Sequence, residues 1–142
     1  MLRLFLLAAL PLAARFGQFQ NAIRAEFLPD GRLIQLLEDL VYDDEKGQRW
    51  IAPKGSEVDG ASIPRPLWSL VGGPYEGKYR EASVIHDVEC KRKTAPWEHV
   101  HYRFYTAMRA RGVDEKQAKG MYAAVRVCGP RWLADGTPLP SP

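Results

Sequence analysis

A chain of 142 residues is long enough for one domain around one core. With 46% hydrophobic and 26% charged residues, and neither repeats nor low-complexity tracts, it fits none of the disordered, collagen-like or solenoid classes. The formal charge is only +3, basic and acidic residues are mixed, and no recognition motif for DNA or RNA occurs, so no nucleic acid is expected as a partner.

The first fourteen residues carry one positive charge (Arg3), a short apolar run and small residues after Pro11. That is the layout of a secretory signal peptide, and the run is too short to span a bilayer as a stable helix. Export to the periplasm or medium is the expectation if this leader is functional, and a cytoplasmic or virion-associated protein if it is not. A retained amphipathic helix, making transient membrane contact through residues 1–14, is the alternative. The domain organisation that follows is a signal-like segment over residues 1–16, a single α+β domain over 17–133 and a loose proline-rich tail over 134–142.

A polar link over residues 17–21 leads into 23–28, which alternates as a half-buried strand. Pro29, Asp30 and Gly31 supply a turn. Residues 33–43 hold leucines that would suit a helix, yet they lie between two turns and are read as one strand. The turn at Asp44, Glu45, Lys46 and Gly47 closes a hairpin onto residues 48–53, and Pro53 ends the ladder. Residues 54–66 form an irregular connector, kept out of sheet and helix by two glycines and two prolines. Residues 67–71 are a short apolar piece, expected as a turn or two of helix.

The central element is predicted over residues 79–90, where apolar or small residues recur at spacings of three and four without Pro or Gly. Lys91, Arg92 and Lys93 then read as its solvated C-terminal end. Thr94-Ala95-Pro96-Trp97 opens a second helix, with Thr94 or Ala95 near the N-cap and Pro96 in the first turn, and its apolar stripe is Trp97, Val100, His101, Phe104, Ala107 and Met108. His99 and Arg103 fall off that stripe. Gly112 stops it, and Asp114 caps a third helix whose inner face is Ala118, Met121, Tyr122 and Val125. The fold class is therefore α+β: a small N-terminal antiparallel sheet, an irregular loop, then three helices.

Two histidines, His86 and His101, fall on inward faces of consecutive helices that short connections make antiparallel neighbours. Asp87 and the loop residue Asp59 would complete the cluster. Two imidazoles with one or two carboxylates suit zinc or another borderline divalent ion holding a reactive water, with His86, Asp87 and His101 as ligands. Without metal, His86 would be a general base oriented by a carboxylate and acting on water or on Ser62. The bland alternative is a pair of hydrogen-bonded core histidines. Ser62 lacks a glycine-flanked elbow and is read as a turn hydroxyl, and Asp59 before Gly60 suits an Asx turn. Arg65 would clamp an anionic group or pair with a carboxylate. Cys90 is four residues from His86 on the same face, where a core contact is favoured over a Cys/His nucleophile. Cys90 and Cys128 could pair in an exported protein or stay as free thiols.

The run Val58-Asp59-Gly60-Ala61-Ser62-Ile63-Pro64-Arg65 with Trp68, then Gly77 and Tyr79, then Ala82 with His86-Asp87, then Phe104-Tyr105, Ala107-Met108 and Gly112-Val113, resembles the phage-associated family "domain of unknown function 1353". The likeness covers roughly residues 23–132. It implies a fold and a phage or prophage setting, with no established activity. Carried over by position, the family's polar motif residues fall on Asp59, Ser62, Arg65, His86 and Asp87. Many members have Ala-Asp where this chain has Val100-His101. A helix bearing His-Asp is also similar in outline to the secreted phospholipases A2, where the His activates water and the Asp holds calcium. This chain lacks their disulfide framework and calcium loop, so the likeness reaches only to hydrolysis as a reaction class.

The expectation is a phage-related hydrolase acting on cell-envelope material such as peptidoglycan or lipid. His86, Asp87 and Asp59 would be catalytic, Ser62 and Arg65 would hold substrate, and a divalent ion (zinc or calcium) is the cofactor considered. Its rival is a non-enzymatic phage accessory or virion-assembly protein, with phage proteins as partners, in which the same cluster is structural. An exported binding module is a third reading. An enzyme needs His86 partly open to solvent, whereas a latch would be closed and fully hydrogen-bonded.

Overall fold

The computed structural model describes residues 10–59 and 77–140. Residues 1–9, Ser62, Arg65, Trp68 and the apolar piece over 67–71 lie outside the described residues. The α+β class holds, with antiparallel strands first and the long helices after.

Alternation decides the first half. Strand β4 (Leu40–Asp43) buries every second residue and β5 (Arg49–Ala52) does the same. Their antiparallel register sets Tyr42 opposite Trp50, so Leu40, Tyr42, Trp50 and Ala52 all enter the core from one face. The hairpin turn is built as expected: Asp44 Oδ1 accepts from the amides of Lys46 and Gln48, both at 2.9 Å, and Gly47 takes φ 81°.

Three expectations about this half are corrected. First, residues 33–43 are two strands: β3 (Ile34–Leu36) and β4 lie in different sheets, with a break at Leu37 to Asp39. Second, the polar link contributes β1 (Gln18–Phe19), giving one sheet of order β1-β4-β5, while β2 (Ala25–Phe27) pairs with β3 in a second sheet. There are thus two small antiparallel sheets in place of one. Third, the connector joins a sheet after all. Glu57–Val58 is β6, pairing Val58 with Ile34, because two residues suffice for pairing and Val58 has a core site to fill.

A short helix, α1 (Leu12–Phe16), precedes β1 and packs on the second long helix, with the Phe16 ring edge-on to Tyr105 at 6.2 Å. The Tyr42 hydroxyl donates to the Phe16 carbonyl. Gly17 makes this joint possible. It sits at φ 86°, and a Cβ there would lie 2.3 Å from the Asp43 carbonyl oxygen and 2.7 Å from Asp44 Cα. Gly17→Ala should therefore cost roughly 2 kcal/mol or more, combining left-handed strain with a backbone clash. Gly47→Ala, at a similar φ but with open space around it, should cost about half as much. Denaturant unfolding of the two variants checks this, and equal losses would remove the close-approach argument.

The helices follow the apolar periodicity. A 3₁₀ turn (Gly77–Tyr79) runs into α2 (Arg80–Arg92), buried without interruption from Glu81 to Cys90. Helix α3 (Trp97–Ala110) has Pro96 at its cap position, one or two residues later than the Thr94 or Ala95 expected, and α4 (Glu115–Cys128) is capped by Asp114, whose carboxylate accepts from the amides of Lys116 and Gln117. The tail does not trail off. Arg131–Trp132 (β7) and Pro138–Leu139 (β8) form a two-stranded hairpin whose Trp132 enters the core. Among the described residues no helix is long and apolar enough to cross a membrane.

Arg103, read as lying off the buried stripe of α3, is in fact buried. Its Nε sits 3.2 Å from Asp44 Oδ2 and its Nη1 2.7 Å from both Glu45 oxygens. The Trp50 indole N–H also donates to Asp44 Oδ2 at 3.0 Å. This charge cluster ties the β4–β5 turn to α3.

Candidate functional site

Helix α2 is enclosed on several sides, so each turn of it faces a different environment. His86 points at α3, where His101 falls on the inward stripe as the periodicity predicted. His86 Nε2 and His101 Nδ1 are 2.8 Å apart. His101 Nε2 is 2.8 Å from the Pro130 carbonyl oxygen, which only accepts. His101 therefore carries its proton on Nε2, leaving Nδ1 to accept from His86 Nε2–H. One chain of donors thus runs from α2 through α3 to the segment after α4. Around it the His86 ring stacks on Phe104 with centroids 4.6 Å apart, and the His101 ring meets Trp97 at 5.7 Å and Trp132 at 6.3 Å.

The pair is closed. His86 is 1% and His101 0% exposed. A narrow gap beside His86, lined by Trp50, Glu89, Arg103 and Phe104, is too tight for a water molecule. A roomier cleft of about 450 Å³ opens between the start of α3 and the β7–β8 hairpin. Trp97 and Trp132 wall it, and neither histidine lines it.

Cys90, one turn beyond His86, completes a trio. Its Sγ lies 3.6 Å from His86 Nε2, and the three donor atoms all fall within 4.8 Å of one another. Asp87 is not part of it. Adjacent helical positions diverge by about 100°, and Asp87 instead meets Lys91, its Oδ2 lying 3.1 Å from Nζ. Lys91 Nζ also donates to the Glu57 carbonyl at 3.1 Å and stands 4.0 Å from Asp59 Oδ1. The expected cluster is therefore divided. His86 and His101 meet each other with Cys90, while Asp87 and Asp59 meet through Lys91 on a partly exposed flank. Lys91 was read as part of a solvated basic end, although its spacing of four from Asp87 is a recognisable ion-pair signal.

Burial, and then the neighbouring His101, hold His86 well below the ordinary imidazole value. Burial also lowers His101, against the opposing effect of its bond to Pro130. Burial pushes the Cys90 thiol far up, with the Asp87 and Glu89 charges adding to it, so Cys90 is no resting thiolate nucleophile. Both thiols are free, Cys90 buried and Cys128 exposed.

These depressed imidazoles fix a pH response. Above about pH 7 both histidines are neutral folded or unfolded. As pH falls through the unfolded value of 6.5, the unfolded chain takes up protons that the folded one refuses, and stability is lost until the folded values are reached. The slope approaches about 1.4 kcal/mol per pH unit for each histidine. Urea unfolding from pH 7 to 5, with a chelator present, should show this decline, and a flat profile would contradict it.

Against known proteins, the family described as "Protein of unknown function (DUF1353)" matches residues 34–125, well over half of the chain. The chain belongs to the DUF1353 family. The match runs from β3 into α4 and so takes in Asp59, Ser62, Arg65, His86, Asp87, Cys90 and His101. Two proteins of Sinorhizobium fredii (strain NBRC 101917 / NGR234) are similar to this DUF1353 chain. "Uncharacterized protein y4jT" is 45% identical over 122 residues, covering 84% of this chain and 36% of the relative. "Uncharacterized protein y4iH" is 42% identical over 97 residues, covering 68% of this chain and 41% of the relative. The chain thus spans about two fifths or less of these relatives' lengths. No solved structure matches it.

Proposed function

We propose that this DUF1353 chain is a non-enzymatic accessory protein, of the phage or prophage kind that the family resemblance implied, in which the His86–His101 pair is a structural latch. The observation that carries the reading is the closure of the pair. Three of the four nitrogens of these neutral, fully buried rings are spent on each other and on the Pro130 carbonyl, and among the described residues the gap beside His86 is too tight for a water molecule. A general base must reach a substrate proton or a water that has one, and rings this deeply buried are poorly placed for that. The latch instead joins α2, α3 and the chain after α4 across separations of 15 and 29 positions. Phage proteins are the partners this reading expects.

The envelope-directed hydrolase is the reading to test against it. Its support is the partly exposed flank where Asp59, with 37% of its side chain exposed, meets Lys91 and Asp87. An exported location belongs to that reading. The experiment is turnover of purified peptidoglycan and of phospholipid vesicles by the full chain, with His86→Ala and Asp87→Asn in parallel. No turnover, together with a large loss of melting temperature in His86→Ala, is expected. Turnover that His86→Ala abolishes while melting is unchanged would replace the latch with an active site.

A further inference from the structure

We propose that His86, Cys90 and His101 together bind one thiophilic or borderline d-block cation, zinc(II) or copper(I) in class. The proposal rests on the reading of the pair as a latch, which the ion would tie.

The donor set comes first. Two imidazole nitrogens and one sulfur lie within 4.8 Å of one another, all buried. Nitrogen and sulfur donors suit zinc and copper and are wrong for calcium or magnesium, which take oxygen. The calcium alternative therefore has no support at this trio, and the carboxylate expected as third ligand, Asp87, is replaced by Cys90.

Geometry comes second. Zn–N and Zn–S bonds of about 2.05 and 2.3 Å at tetrahedral angles set an N···S edge of about 3.6 Å and an N···N edge of about 3.3 Å. The His86–Cys90 edge is already 3.6 Å. The His86–His101 edge, at 2.8 Å, must open by about half an ångström, within reach of small ring rotations. His86 and Cys90 share a face because they are four apart on α2, so one regular helix presents two of the three donors.

The surroundings come third. Imidazole ligands characteristically donate their other N–H to a carbonyl or carboxylate, which fixes ring and tautomer. His101 does this already, with Nε2–H on the Pro130 carbonyl and Nδ1 turned toward His86. The negative field of Asp87 and Glu89 that raises the Cys90 thiol would favour a cation in the same place.

The protons balance simply. On loading, the Cys90 thiol gives its proton to solvent and Sγ bonds the ion. His86 moves its proton from Nε2 to Nδ1 and offers Nε2. His101 keeps its proton on Nε2 and offers Nδ1. One proton is released and no oxidant or reductant is needed.

The test uses the full chain carrying Cys128→Ser, which leaves Cys90 as its one thiol. The protein is reduced, stripped with chelator and titrated anaerobically with cobalt(II), then with zinc(II), and separately with copper(I). Expected are one equivalent bound, a near-ultraviolet thiolate-to-cobalt absorption that zinc displaces, and a higher melting temperature. Stoichiometric copper(I) binding without cobalt or zinc would also support the site, narrowed to copper. Cys90→Ser and His101→Gln should each weaken binding by at least about 100-fold, beyond the loss typical of an outer-shell change. His99→Ala, on an exposed ring, should leave it unchanged. Should the ligand variants misfold, the thiolate absorption alone still assigns Cys90. No stoichiometric binding of any of the three ions, or binding indifferent to both ligand variants, overturns the proposal. Neither result touches the latch, which is read from the melting of metal-free variants.

Discussion

Asp44→Ala is expected to destabilise the fold by about 4 kcal/mol, the range seen when one partner of a buried ion pair is removed. The Asp44 carboxylate serves four donors at once: the amides of Lys46 and Gln48, the Trp50 indole and the Arg103 guanidinium. Alanine leaves the Trp50 N–H and the Arg103 Nε–H without their acceptor, with Glu45 alone to balance the guanidinium, and undoes the turn that sets the β4–β5 register. Arg103→Ala should cost less, nearer 3 kcal/mol, because Asp44 keeps three of its donors. Denaturant unfolding ranks the two. A loss from Arg103→Ala equal to or larger than that from Asp44→Ala would show that the guanidinium, and not the turn, holds the cluster together.

The second large effect is expected at His101. In metal-free protein, His101→Ala should lose about 3–5 kcal/mol, the range for emptying a large buried ring site, with the unmet His86 Nε2–H and Pro130 carbonyl contributing to it. The ring packs against Trp97 and Trp132 as well as His86, so the hole opens where three elements meet. His99→Ala, two residues away on the exposed face, should change stability by less than about 0.5 kcal/mol. Thermal melting in chelator compares them. Near-equal melting temperatures would mean that the histidine pair holds nothing, and the latch would fall with it.

What the sequence made legible and what it hid divide along physical lines. The long helices were legible because apolar spacing of three and four is a property of each segment alone, and Pro96, Gly112 and Asp114 mark their ends. The same spacing turned His86 and His101 inward on neighbouring helices, and the structure brings their rings together. The break between β3 and β4 was hidden because leucines on either side suit one strand equally well. It is set from afar, by the Asn21 side chain bonding the Asp39 carbonyl and the Val41 amide and by Asp39 accepting from the Lys54 amide. The burial of Arg103 was hidden for the same reason, since Glu45 lies 58 positions earlier in the chain. Asp87 was grouped with His86 because neighbours about 100° apart on a helix can still both reach one cleft beside it; which neighbour each one meets, His101 for His86 and Lys91 for Asp87, is set by packing. Cys90 was placed on the correct face, but its part in the trio depends on His101, which only the packed α2–α3 pair brings near.

The unbroken burial of α2 has a consequence for motion. A segment covered from Glu81 to Cys90 has no outer face along which to loosen by degrees. Its backbone amide hydrogens over residues 84–90 should therefore exchange with deuterium only when the whole molecule opens, and so report the global unfolding free energy. The five-residue α1 and the exposed strand of the C-terminal hairpin should exchange orders of magnitude faster through local fraying. Local breathing would thus be confined to α1 and the β7–β8 hairpin, around an immobile axis formed by α2.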